Sequence, residues 1–165
     1  MSSINRRASQ AAIVMVGLVT LSGGTGIWAA WEQSSALRSQ TEVASLLRNH
    51  MQADMMHDAI RADALAALQA ADPASGINPA DVAKDLAEHV GQLKEAIAAD
   101  TAYAGSAQVA DAARALPAAV DAYIRAAGDV VALAGRDATA AERGLPGFFE
   151  QFRALEGSME RTSDA

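Results

Sequence analysis

The chain has 165 residues, 51% hydrophobic, 4% aromatic and without cysteine, and its formal charge is −7. That length suits one domain of moderate size plus an anchor rather than two globular domains, and the lack of cysteine excludes any disulfide. Arg6 and Arg7 are the only charged residues before Glu32, so the remainder carries 11 basic against 20 acidic residues, a surface that repels phosphate backbones and argues against nucleic acid as a partner.

Long stretches are free of Pro and Gly, and Ala, Leu, Glu, Gln, Arg and Met, the best helix formers, dominate them. Val, Ile, Thr and aromatic residues nowhere gather into an alternating run, so strands have no support. The expected fold is all-α, an N-terminal transmembrane helix continuing into an antiparallel four-helix bundle.

Residues 1–10 read as a cytoplasmic tail. Residues 11–31 carry no charge, and 21 residues at about 1.5 Å each span roughly 30 Å, the thickness of a hydrocarbon core. Trp28 and Trp31 sit at one end, where headgroups favour them, and Arg6 and Arg7 place the N-terminus in the cytoplasm. Residues 32–165 then form a periplasmic sensor domain. This predicts a single-pass protein of the inner (cytoplasmic) membrane, in contact with lipid. A cleaved signal peptide is the competing reading, but the apolar region exceeds the roughly 7–15 residues usual there. No A-x-A pattern follows Gly23, Gly24 and Gly26, a stretch that also suits helix contact within the bilayer.

From Glu32 to Ala71 there is neither Pro nor Gly, which predicts one helix running ~60 Å beyond the membrane. The stretch from Asp72 to Pro79 is the clearest turn, with Asn78 as N-cap and Pro79 as first residue of a second helix ending near Gly105. Ser106 is expected to cap a third helix running to about Gly135, with Pro117 as a kink. Thr139-x-x-Glu142 resembles a capping box for a fourth helix, interrupted at Gly144-Leu145-Pro146-Gly147 and continuing to the end. The ending from Glu160 to Ala165 has no C-cap signal, and a second membrane helix is expected beyond it.

Every helix carries a seam with gaps of three and four. The first reads Val43, Leu47, His50, Asp54, His57, Arg61, Ala64, Leu68; the second Val82, Leu86, His89, Leu93, Ala96. The third reads Val109, Ala113, Leu116, Val120, Tyr123, Ala127, Val130, and the last Leu145, Phe148, Phe152, Leu155, Met159. Such a repeat, rich in Ala, predicts closely packed antiparallel neighbours.

The middle of the first seam is polar, with His50, Asp54, His57 and Arg61 in line and Met51, Met55 and Asp58 one position round. Buried polar groups left unpaired cost about 1–3 kcal/mol each, so this run needs mutual pairing, a ligand or water. In an antiparallel pair turning near Ser75, His89 falls opposite about residue 62, close to His57 and Arg61. Two imidazoles and a carboxylate from facing helices form a ligand set for a transition metal, and His50, Asp54, His57 and His89 are the candidate metal ligands. Met51, Met55 and Met56 supply thioethers, which favour Cu(I) or haem iron as cofactor. The same face offers His50, Asp54, His57, Asp58 and Arg61 to a small ligand. Asp54–Arg61 and Asp58–Arg61 pairing in a structural polar layer or a homodimer interface is the alternative.

Two stretches resemble a known family. The segment from Leu47 to Asp63, LRNHMQADMMHDAIRAD, is similar to one in the first sensor helix of bacterial methyl-accepting chemotaxis receptors. The ending Phe148-x3-Phe152-x2-Leu155-Glu156-x2-Met159 resembles the run leading into their second membrane helix. The resemblance implies a homodimer in which a bound ligand shifts the last helix, and the shift passes to a kinase-controlling coiled coil. Second membrane helix, linker and coiled coil are missing here, so the expectation is the ligand-sensing part of a chemotaxis receptor, metal- or haem-responsive, without its signalling half. The rival readings are an anchored periplasmic metal- or haem-binding bundle and the sensor half of a histidine kinase. No G-x-S-x-G, phosphate loop or H-E-x-x-H is present, so no enzyme is expected.

Overall fold

The computed structural model describes residues 3–102 and 107–164, with side chains described except at residues 3–14, 18–30, 35, 36 and 39. The chain is all-α: α1 (Ser3–Ala70), α2 (Pro79–Thr101), α3 (Ala107–Ala113), α4 (Leu116–Ala134) and α5 (Ala138–Ser163), with no strand among the described residues. It divides into two compact units, Met1–Ala44 and Ser45–Ala165.

In the first unit Met15 is 72% exposed and Trp31 78%. Among the described residues no helix is long and apolar enough to cross a membrane. The expected localisation, single-pass in the inner membrane with residues 32–165 periplasmic, is therefore corrected. The uncharged stretch is strongly apolar only from Ala11 to Leu21, ~16 Å of helix against a core of ~30 Å. Ser22-Gly23-Gly24-Thr25-Gly26 follows, and these residues gain little on leaving water. The side chains of Arg6, Arg7 and Trp28, which bear on orientation, and the Gly23–Gly26 stretch lie outside those described.

The second unit is built around one apolar cluster. Ala53, Ile60 and Ala64 of α1 meet Leu93 and Ile97 of α2, Leu116, Val120, Tyr123 and Ala127 of α4, and Phe148, Phe152 and Leu155 of α5. Ala53, Ala64 and Ala127 have no exposed surface, and their small side chains let the helices approach closely while the aromatics fill the middle. A smaller cluster of Ala67, Val82, Ala134 and Ala141 closes one end. The seams expected on the last three helical segments coincide with this core. On α1 the buried stripe instead runs Ala53, Met56, His57, Ile60, Asp63, Ala64, Ala67 and Ala70. It is rotated by about one residue from the expected seam, so Leu47 and Asp54 are exposed and Arg61 is half-buried. The reason is apolarity: Ala53, Ile60 and Ala67 lie on that stripe, and a core takes them in preference to Asp54 and Arg61.

The connections follow local chemistry. Asp72 accepts a hydrogen bond from the Ala74 amide at 2.8 Å, a short 3-10 turn spans Pro73–Ser75, and Gly76 takes the left-handed conformation at φ 69° that admits glycine without strain. Asn78 caps α2 by accepting from the Ala80 amide at 3.0 Å, with Pro79 in the first turn where its missing N–H is not needed. Pro117 sits at the start of α4, just after the break that separates it from α3. The expected cap at Ser106 and the expected helix end near Gly105 lie outside the described residues.

α5 departs from expectation twice. It runs unbroken through Pro146, with Gly144 and Gly147 facing open space. Its N-cap is Asp137, which accepts from the Ala140 amide at 2.9 Å, and not Thr139. Asp137→Ala should therefore lower stability by ~1 kcal/mol in urea melts, the usual loss for a cap. Thr139→Ala should change it by less than about half that amount, and equal effects would put the cap at the wrong residue.

Candidate functional site

His57 joins three helices. It is only 2% exposed, and its ring stacks on Phe152 of α5 with centroids 4.0 Å apart and planes at 10°. Its Nε2 lies 3.1 Å from the Phe152 carbonyl oxygen. A carbonyl only accepts, so Nε2 carries the proton and donates. The Tyr123 hydroxyl of α4 donates to the His57 carbonyl at 2.8 Å, and its ring meets the imidazole edge-on at 4.9 Å. The Arg61 guanidinium also lies over the Phe152 ring, 4.7 Å from its centroid, a cation–π contact. Burial pushes the His57 imidazole below its ordinary value of 6.5, against the raising pull of the Phe152 carbonyl and of Asp58, Glu156 and Asp54. Burial likewise pushes the Tyr123 phenol well above its ordinary value.

The other two histidines each face a carboxylate. His89 Nδ1 donates to Asp63 Oδ2 at 2.7 Å, and His50 Nδ1 stands 3.7 Å from Asp100 Oδ2. As numbers rise on α1 they fall on α2, so these helices run antiparallel. Asp100 is 2% exposed and its Oδ1 has no hydrogen-bond partner. Burial raises its carboxyl above the ordinary 3.8, offset in part by His50. Its place one residue before the end of α2, where helix carbonyls concentrate negative charge, works in the same direction.

The expected metal set is thus dispersed. His50, His57 and His89 lie in three separate environments, with Asp54 exposed one turn from His50, and the Nε2 proton of His57 is committed to Phe152. Among the described residues no three His, Asp or Glu side chains are grouped to hold a metal. Of the expected ligand-binding residues, Asp58 and Arg61 pair at 3.1 Å on the surface, while His50 and Asp54 share a cavity of about 300 Å³. Its walls are His50, Met51 and Asp54 of α1 and Glu156, Met159 and Glu160 of α5. A second cavity, about 360 Å³, opens between α1 and α2 at Asn49, Gln52, Gln92 and Glu95, where the Gln52 amide donates to Gln92 at 3.0 Å.

Sequence reasoning missed Asp63 and Asp100 as the partners of His89 and His50. The antiparallel register already applied to His89 also sets His50 level with Asp100, so the signal was present. It missed Glu156, Met159 and Glu160 as cavity walls, because the pairing of α1 with α5 leaves no trace in loop length.

His57 and Asp100 predict opposite pH responses. For His57 the folded state resists protonation, so stability is full above 6.5 and is lost as pH falls below it towards the depressed folded value. For Asp100 the folded state favours the proton, so stability is fullest below 3.8 and is lost as pH rises through the raised folded value. His57→Phe should flatten the loss below 6.5 in chemical denaturation across pH. Asp100→Asn should stabilise the chain at pH 7 by about 1 kcal/mol and lose that advantage near pH 3. A destabilising Asp100→Asn at pH 7 would mean that the carboxylate is held by attraction to His50 that outweighs its burial.

Compared with protein-family models, with curated proteins and with solved structures, the chain matches none. What it does must be read from its own side chains.

Proposed function

We propose that residues 45–165 form an antiparallel four-helix bundle serving as the ligand-sensing input domain of a chemotaxis-receptor-type signalling protein that works as a homodimer. The observation that carries this reading is the cavity shared by the first and last helices, placed two turns from the His57–Phe152 joint on both of them. His50 and His57 are seven apart on α1, and Phe152 and Met159 are seven apart on α5, so cavity and joint lie on one continuous face of each helix. A small ligand gripped by both walls biases where α5 sits against α1, and the aromatic stack transmits that bias to the core. The resemblance of the His50–Asp63 segment to the first sensor helix of chemotaxis receptors supports the same reading.

A second observation favours pairing of two copies. Leu47, Met51 and Met55 are 59%, 58% and 58% exposed and follow one another at intervals of four along α1. An apolar ridge of this kind is the surface a second helix packs against.

Two experiments test the proposal. Sedimentation equilibrium of the full chain should give a dimer, with Leu47→Glu weakening association by about tenfold or more through a buried charge. Melting curves across a panel of amino acids, dicarboxylates, amines and metal salts should reveal a saturable stabilisation that Asp54→Asn with Glu156→Gln removes. A monomeric chain that no member of the panel stabilises would refute the sensor reading.

A further inference from the structure

The cavity between α1 and α5 has an unusual set of donors. Asp54, Glu156, Glu160 and Asp164 line it together with His50, and no Lys or Arg does. Such a lining attracts cations. These carboxylates are nevertheless not grouped with His50 as a metal shell among the described residues, so hard and borderline ions, which take their ligands from Asp, Glu and His, are poorly served. The remaining donors are the Ser163 hydroxyl and two thioethers, Met51 on the α1 wall and Met159 on the α5 wall, one 58% and the other 4% exposed. Thioether sulfur is soft, and with imidazole it selects soft monovalent ions that accept low coordination numbers.

A second feature points to the same ligand class. His50 lines the cavity while its Nδ1 faces Asp100 Oδ2 at 3.7 Å, a carboxylate that is almost fully buried and otherwise half unpartnered. A carboxylate on the Nδ1 side of the ring, here beyond hydrogen-bond distance, is the kind of neighbour that orients a histidine to offer Nε2 to a metal. This gives a purpose to an acid that burial makes unfavourable.

We infer that this cavity binds a soft d10 monovalent cation, Cu(I) or Ag(I), through the Met51 and Met159 thioethers and His50 Nε2, with the surrounding carboxylates supplying field rather than bonds. The inference rests on the sensor reading in taking the same cavity as the input site, and names the class of signal it would receive.

The test is a titration of the full chain, labelled with ¹³C at the methionine methyls, with silver nitrate in chloride-free buffer. The Met51 and Met159 methyl signals should shift together and saturate near one equivalent, while Met55 and Met56 stay in place. Met51→Leu and Met159→Leu, which keep the side chains apolar and of similar volume, should each weaken Ag(I) binding about tenfold or more, and Met55→Leu should not. His50→Gln should weaken it similarly. No shift at stoichiometric silver, or equal shifts at every exposed methionine, overturns the site. The sensor reading fails separately: silver bound at Met51 and Met159 with no change in self-association would leave a metal-binding domain without a sensing role. Conversely, an amine or amino acid that stabilises through Asp54 while silver does not bind would keep the sensor and discard the soft-metal site.

Discussion

The second unit depends on a neutral imidazole. Apolar burial drives its helices together but is indifferent to sliding, because Ala and Leu offer much the same surface one turn along. The bonds of His57 are directional. Its ring proton reaches one backbone carbonyl on α5, and its own carbonyl receives one hydroxyl from α4. Both links end on backbone, so they fix the register of three helices and not merely the position of side chains. Phenylalanine at this position would keep the stack on Phe152 and the Tyr123 bond to the backbone, but would lose the bond that ties α1 to the α5 backbone. A charged imidazolium would keep the donor but would place a charge in a 2% exposed site.

The polar pairs around this joint differ in what they contribute. Asp58–Arg61, at 3.1 Å with both side chains substantially exposed, belongs to the class of surface pairs worth roughly 0–1 kcal/mol. Arg61 matters more through the place of its guanidinium over the Phe152 ring, a cation–π contact. Asp63–His89, at 2.7 Å and partly buried, is a directional bond between α1 and α2 and complements the joint, whose bonds run to α4 and α5. Asp100–His50 stands apart. At 3.7 Å it is longer than a hydrogen bond, and it leaves a buried oxygen unpaired, so stability alone does not account for it.

Helix content, the turn around Gly76, the Asn78–Pro79 start of α2 and the core seams of α2, α4 and α5 were all legible in the sequence, because each rests on local chemistry or on a strong apolar period. The seam of α1 was misread by about one residue. Alanine occupies both the true stripe, at Ala53 and Ala67, and positions beside it, so the period is clear and the phase is weak. The histidines stand out along the helices, yet of the three only His57 is buried in the core. The cap of α5 failed for a related reason: Asp137 and Thr139 are both good capping residues two positions apart, and only backbone geometry decides between them. Long-range partners were partly accessible. The turn sets the register of α2 against α1, whereas nothing in the sequence sets α5 against α1 except the stack that His57 and Phe152 make.

That stack determines what a ligand at the neighbouring cavity can achieve. A ligand moves an equilibrium only by the difference in its affinity for two arrangements, so contacts to α1 alone would bind without effect. The cavity escapes this limit because its donors divide between the walls, His50, Met51 and Asp54 on one side and Glu156, Met159 and Glu160 on the other. Any species coordinated from both sides reports the spacing between α1 and α5 directly. The carboxylates of Asp54 and Glu156 also bear electrostatically on His57, raising its proton affinity against the effect of burial. A cation bound among them cancels that field and strengthens the preference for the neutral ring, and so for the bond to the Phe152 carbonyl. Occupation of the cavity and closure of the joint are then coupled through charge as well as contact, and the coupling is reciprocal: whatever stabilises the neutral, stacked His57 also tightens the cavity for a cation.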